Sequence, residues 1–174
     1  MPKPSAKERI LDAYEGILIE HGPATVTLEA VAARAGVSKG GLLYHFGSKE
    51  ALLVGLIERV ASLSKADIET ARGAPEGAVR HYLRTSVTDV TQDSAVHRTT
   101  MAAMRLIGNE TRVDVAMRAY TENWRVLLNE HIEDPVTAEI VGVIGDGLYL
   151  RALIGEDTTP LLDEMTTVLA RLGV

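Results

Sequence analysis

The sequence predicts an all-α protein of about nine helices. A small three-helix domain over residues 1–50 precedes a larger helical domain over residues 51–174. Three observations carry this. Apolar residues recur at helical spacing along most of the chain. Glycine, proline, Asn and Asp interrupt that pattern at helical lengths, and no stretch alternates as a half-buried strand would. At 174 residues and 46% hydrophobic content, the chain can bury one substantial core or a small domain beside a larger one.

The elements follow in order. Ser5-Ala6-Lys7-Glu8 has the Ser-x-x-Glu spacing of a capping box. Ile10, Ala13, Tyr14, Ile17 and Leu18 then stripe a first helix that His21-Gly22-Pro23 stops. Thr27 can cap a short second helix with Leu28, Val31, Ala32 and Ala35 on its apolar face, and Gly36 suits its C-terminus. Ser38 caps a third, which reaches Phe46. Ser48 caps a fourth, striped by Leu52, Leu53, Leu56, Ile57, Val60 and Leu63 as far as about Ala71. Beyond the turn at Arg72-Gly73-Ala74-Pro75, helices are expected at about 76–90, 95–107, 111–133, 135–154 and 160–172.

Composition narrows the function. With no cysteine, disulfides and thiolate metal sites are excluded. The start MPKPSAKERI has no signal-like apolar run, and no stretch approaches the ~18 apolar residues of a membrane helix, so a cytoplasmic protein without a membrane partner is expected. The net charge of -6 is unevenly spread: residues 1 to 60 hold seven Lys or Arg and seven Asp or Glu, so the acidic excess belongs to the second part.

The stretch GVSKGGLLYHFGSKEA, Gly36 to Ala51, is unusual. Two short helices joined by a glycine-containing turn form a helix-turn-helix, whose second helix can enter the DNA major groove. Gly40 and Gly41 would let that helix approach closely, at about 1 kcal/mol each in helix propensity. Leu42 and Phe46 read as core anchors. Lys49, in a first helical turn where the dipole disfavours a cation, is better explained by an external phosphate. Lys3 and Lys7 could form a basic arm or simply a solvated terminus.

TLEAVAARAGVSKGGLLYHFGSKEALL, Thr27 to Leu53, resembles the N-terminal signature of the TetR/AcrR family of bacterial transcriptional regulators. The resemblance spans roughly residues 8 to 56. It implies a DNA-binding three-helix domain, a variable helical domain that binds a small-molecule effector, a homodimer, and a palindromic double-stranded DNA operator, most simply under repression. By the same resemblance Thr27, Ser38 and Lys49 would meet phosphates, Lys39, Gly41 and Leu43 would face the groove, and Tyr44 and His45 would lie on backbone or thymine methyls. Gly41 replaces the family's common Thr or Ser, and Leu43 its frequent second aromatic. Lys39 is left as the only long hydrogen-bonding side chain before His45.

The larger domain carries no enzyme signature. Gly142-x-x-Gly145-x-Gly147 lacks the order and preceding strand of a dinucleotide loop, and the five histidines show no metal-ligand spacing, so no catalysis, cofactor or metal is expected. His97, Met101, Met104 and Arg105 share a helix face, and Met117, Tyr120, Asn123 and Trp124 recur on the next helix. With Tyr82 these are either plain core or an effector pocket, and the low aromatic content favours an aliphatic or amphipathic ligand. Ile140, Val141, Ile144, Gly145, Leu148 and Ala152, with Leu161, Met165 and Leu169 on the last helix, form the expected dimer interface. The competing reading is a helical carrier module for a hydrophobic small molecule that does not bind DNA.

Overall fold

A computed structural model describes residues 5–174; Lys3 lies outside the described residues. Among them are ten α-helices and one 3-10 turn, with no strand. The helices are α1 (Ala6–His21), α2 (Leu28–Ala35), α3 (Lys39–His45), α4 (Lys49–Arg72), α5 (Ala78–Thr91), α6 (Ala95–Met104), α7 (Thr111–His131), α8 (Pro135–Leu153), α9 (Thr159–Asp163) and α10 (Met165–Leu172), with the 3-10 turn at Pro23–Thr25.

The caps are where the sequence predicts them. Ser5 Oγ accepts the Glu8 N–H at 3.1 Å, Thr27 Oγ1 that of Ala30 at 3.0 Å, and Ser48 Oγ that of Ala51 at 3.1 Å. Three expectations change. The fifth helix begins at Ala78, because Gly77 ahead of it takes a φ of 87° that no helix contains. The sixth ends at Met104, where bonds such as Leu106 N–H to Ala103 O tighten the chain toward Gly108. The last helix is two: Glu164, at φ -90° and ψ 13°, separates α9 from α10.

The chain forms two compact units, one comprising residues up to Ser62 with Arg98–Met117, the other Leu63–His97 with Arg118–Val174. This grouping differs from a single division near residue 50. Side chains of the Arg98–Met117 segment bond into the N-terminal helices: Thr99 Oγ1 donates to Glu15 at 2.8 Å, Arg105 Nε to the Leu18 carbonyl at 3.3 Å, and Arg112 pairs with Glu50.

In the first unit α1 packs on α2 and α3. Arg34 of α2 grips Glu20 of α1 and lies over Gly16, where any Cβ would strike its guanidinium. Phe46 is buried against Gly55 of α4; a Cβ there would come within 2.8 Å of the Phe46 ring and 3.0 Å of Leu11. One turn further along α4, Arg59 reaches back to α1. It pairs with Asp12 at 2.7 Å, with Glu15 at 3.1 Å and with Glu8. Glu15 is buried, and desolvation raises its carboxyl above the ordinary value despite Arg59 and the Thr99 hydroxyl.

The second unit is built around α5 on α8. Leu83, Leu127, Leu128, Val141 and Leu148 are fully buried in a core that also takes Tyr82, Trp124, Met165 and Leu169. Asp134 caps α8, accepting the Thr137 N–H at 2.9 Å, with Pro135 in the first turn.

Removing the cation at Arg59 leaves Glu8, Asp12 and Glu15 facing one another. Arg59→Leu is expected to cost about 3–5 kcal/mol at pH 7, as broken buried ion pairs do. The deficit should shrink as pH falls toward 4 and Glu15, whose carboxyl burial holds above its ordinary value, takes up a proton, which urea unfolding at the two pH values measures.

Candidate functional site

The turn between α2 and α3 is set by Gly36, left-handed at φ 64°, whose N–H and that of Val37 close onto the Ala33 and Ala32 carbonyls. Ser38 Oγ accepts the Gly41 N–H at 3.0 Å and starts α3. A Cβ at Gly41 would sit 3.2 Å from that hydroxyl, so Gly41 leaves room for the cap, whereas a Cβ at Gly40 would stand 4.0 Å from it, an ordinary contact. Only Leu42 of α3 is buried; it is 0% exposed, as Phe46 just beyond is 4%.

The other face of α3 is left in water. Tyr44 is 86% exposed and Leu43 is exposed beside it, apolar surface that none of the described residues covers. The rings of Tyr44 and His45 meet edge to face at 5.0 Å. Lys39 Nζ lies 2.7 Å from Glu29 Oε1, an exposed pair across α2 and α3 that draws the Glu29 carboxyl below its usual value. Lys49 stands exposed at the start of α4. Thr27, Ser38, Lys39, Gly40, Leu43, Tyr44, His45 and Lys49 are thus all solvent-facing, with Gly41 half-buried.

The residues expected to bind an effector are divided. Tyr82, His97, Tyr120, Asn123 and Trp124 belong to the second unit, Met101, Met104, Arg105 and Met117 to the first, because α6 and α7 each change unit along their length. Arg105 is committed to α1 and Met104 is exposed. In the second unit Trp124 is core, its ring 4.8 Å from that of Tyr82, whose hydroxyl donates to the Gly142 carbonyl at 3.0 Å. His97 Nδ1 lies 3.0 Å from the Tyr149 hydroxyl, and Asn123 Nδ2 donates to Ser64 at 3.0 Å.

Helical periodicity does not flag two further carboxylates of the second unit. Asp67 of α4 and Asp89 of α5 are half-buried and repel one another. Desolvation first, and the Asp89 charge second, push the Asp67 carboxyl up to about 6. Asp89 is raised by desolvation too, against a hydrogen bond from Ser94.

The expected dimer residues fall into two sets. Val141, Gly145, Leu148, Met165 and Leu169 are buried in the chain's own core, and the space at Gly145 is taken by the Tyr82 ring. The absent side chain serves an internal aromatic, not a partner helix. Ile144 and Ala152 are half-buried, while Ile140 and Leu161 are exposed. Ile140 continues into an uncovered stripe of α8 and its C-cap, Val136, Val143, Leu150 and Ile154, at 43–66% exposure.

Residues 10–56 match the family described as bacterial regulatory proteins, tetR family, and residues 76–173 that described as tetracyclin repressor-like, C-terminal domain. The HTH-type transcriptional regulator RutR of Escherichia coli K12 is 36% identical over 80 residues, covering 45% of this chain and 38% of RutR. The nucleoid occlusion factor SlmA of Haemophilus ducreyi is 44% identical over 64 residues, 34% of this chain and 32% of SlmA. The matched part therefore spans well under half the length of these relatives. Among solved structures, SCO7518 of Streptomyces coelicolor A3(2) superposes with a TM-score of 0.68 at 29% identity over 97% of this chain and 98% of its own. The multidrug binding protein EbrR, solved with malachite green, gives 0.71 at 23% identity over 97% and 98%, a likeness of fold.

Between about pH 4 and pH 6 the folded chain keeps a proton on Asp67 that the unfolded chain, at the ordinary 3.8, has released. Stability therefore falls as pH rises through that window, by up to about 3 kcal/mol from this group. Asp67→Asn is expected to match the parent near pH 3.5 and exceed it at pH 7.5. Urea midpoints across that range check it, and a variant no more stable at pH 7.5 would contradict it.

Proposed function

The chain belongs to the tetR family of bacterial regulatory proteins, and from that premise we propose that it is a dimeric, cytoplasmic DNA-binding transcriptional repressor whose operator affinity responds to a small-molecule effector. The observation that carries the reading is α3: a seven-residue helix anchored by Leu42, with Leu43, Tyr44 and His45 held out in water. An aromatic ring left so exposed on a rigid helix is suited to a nucleic-acid groove, where it meets sugar, backbone or thymine methyls.

Thr27, Ser38 and Lys49 supply the phosphate contacts in this reading, and Lys39 leaves Glu29 to reach a base edge. Two copies related by a two-fold axis set their α3 helices about 34 Å apart on a palindrome. The exposed α8 stripe through Ile140 and Val143 is the self-complementary surface that pairs them, with Leu161 beside it. The effector binds among Tyr82, His97, Tyr120, Asn123 and Trp124 of the second unit. Because α4 starts in the first unit and ends in the second, an effector that selects one geometry of that helix alters the spacing of the two readers.

Gel-shift titration over a salt series tests the reader. Lys49→Ala should weaken operator and random DNA alike and flatten the salt dependence by about 0.9 per lost phosphate contact per subunit. Lys39→Ala should cost about 1–3 kcal/mol per lost base contact on the operator and far less on random DNA. If both variants and Tyr44→Ala bind as the parent does, α3 is not the reader.

For the dimer, Val143→Glu is expected to yield a folded monomer in light scattering and to lose tight operator binding. A dimer that persists would move the interface off α8.

A further inference from the structure

The face that α2, α3 and the start of α4 leave in water carries a negative charge among the residues assigned to DNA. Glu29 stands in the first turn of α2, two residues after the Thr27 cap. Its carboxylate reaches across to α3, where Oε1 lies 2.7 Å from Lys39 Nζ, and both side chains are exposed. The Lys39 ammonium first, and Lys49 at the head of α4 more weakly, hold the Glu29 carboxyl below its usual value, so it is ionised at neutral pH. Glu29 therefore touches the cation assigned to a base edge and lies in the field of the cation assigned to a phosphate.

The other charged side chains of this stretch are placed differently. Arg34 turns to Glu20 of α1 and Glu50 to Arg112 of α7, so each is neutralised by a partner outside α2 and α3. Lys39 is neutralised by a residue of the reading face itself. An acid in the first turn of α2 suits the helix dipole, but the dipole does not direct a carboxylate onto the neighbouring helix. The contact with Lys39 does. To an ammonium, a carboxylate oxygen and a phosphate oxygen are the same kind of partner, an anionic acceptor without a proton of its own. Exposed pairs of this kind are weak and open readily when a better acceptor is offered.

We infer that Glu29 is an internal competitor of DNA for Lys39, its carboxylate standing where a phosphate oxygen would otherwise bind. On random DNA Lys39 stays with Glu29 and contributes little, which agrees with the small loss expected there for Lys39→Ala. On an operator a base edge draws Lys39 away, and Glu29 is left as a negative charge beside a polyanion. The contact lowers the affinity scale of the reader without itself reading sequence. This rests on the DNA-reader assignment made under the proposed function, and it adds Glu29 to that reader as a positioning residue acting through Lys39.

Fluorescence anisotropy of a labelled random-sequence duplex, titrated with the full chain over a salt series, tests it. Glu29→Gln keeps the shape of the side chain and removes the charge. It is expected to raise affinity for the duplex about threefold or more, and to steepen the salt dependence by about 0.9 per subunit as each freed Lys39 takes a phosphate. In a Lys39→Ala background the same substitution should change affinity by less than about twofold and leave the salt slope unaltered, and the four chains together isolate the coupling. A helix that merely lost an acidic residue from its first turn would show neither the steeper slope nor the dependence on Lys39. Unchanged melting transitions show that the variants fold.

A Glu29→Gln chain that binds no more tightly than the parent, or that gains as much without Lys39 as with it, overturns the inference and leaves the reader assignment standing. A folded parent that binds no duplex at low salt overturns the reader assignment and the inference with it.

Discussion

The arrangement of the first unit depends on one guanidinium. Arg59 carries the positive charge that lets three carboxylates of α1, Glu8, Asp12 and Glu15, occupy one face. Glu15 is buried, and Arg59 on one side and the Thr99 hydroxyl on the other offset part of the cost of its charge. α1 is therefore tied at one residue to both α4 and α6. Gly55, a turn earlier on α4, admits Phe46 and Leu11, so the polar clamp and the apolar contact lie side by side. The apolar contact supplies most of the burial energy, and the ion cluster fixes the register in which it forms.

The second unit uses a glycine and a tyrosine for a related purpose. Tyr82 reaches α8 where Gly145 has no side chain, bonds the Gly142 carbonyl, and packs at a tilt against Trp124. The inner face of α8 is thereby fixed to α5, and the opposite face, from Val136 to Ile154, is left uncovered. The same unit also holds two half-buried carboxylates, Asp67 and Asp89, both raised by desolvation. A unit built only for stability would not keep two desolvated carboxylates together.

Local signals were legible where local physics decides. Ser5, Thr27, Ser38 and Ser48 were readable as caps because a hydroxyl three residues before a backbone N–H acts within one turn. Gly36 was readable because only a left-handed residue suits that turn. The whole α2–α3 element followed from such rules, together with a resemblance that rests on the same short stretch. What sequence could not supply were contacts set by tertiary packing. The small residue at Gly145 suggests close helix approach, but only the fold shows that the approaching group is a ring of the same chain. Asp67 and Asp89 are 22 positions apart, each unremarkable alone, and only the packing of α4 on its neighbours makes them a pair. The break at Glu164 likewise leaves no mark in an apolar stripe that continues across it.

The attachment of α3 has an evolutionary meaning. Its hold on the rest of the unit passes through Leu42 and the following Phe46, and its outward positions, 39, 40 and 43 to 45, contribute nothing to the core. Those five can vary with almost no penalty in folding, and in the proposed reading they are the ones that would follow a changed operator. Gly41 is the exception, since a side chain there would press on the Ser38 cap. The chain thus separates what it must keep in order to fold from what, in the proposed reading, it is free to change in order to address a different site in the genome.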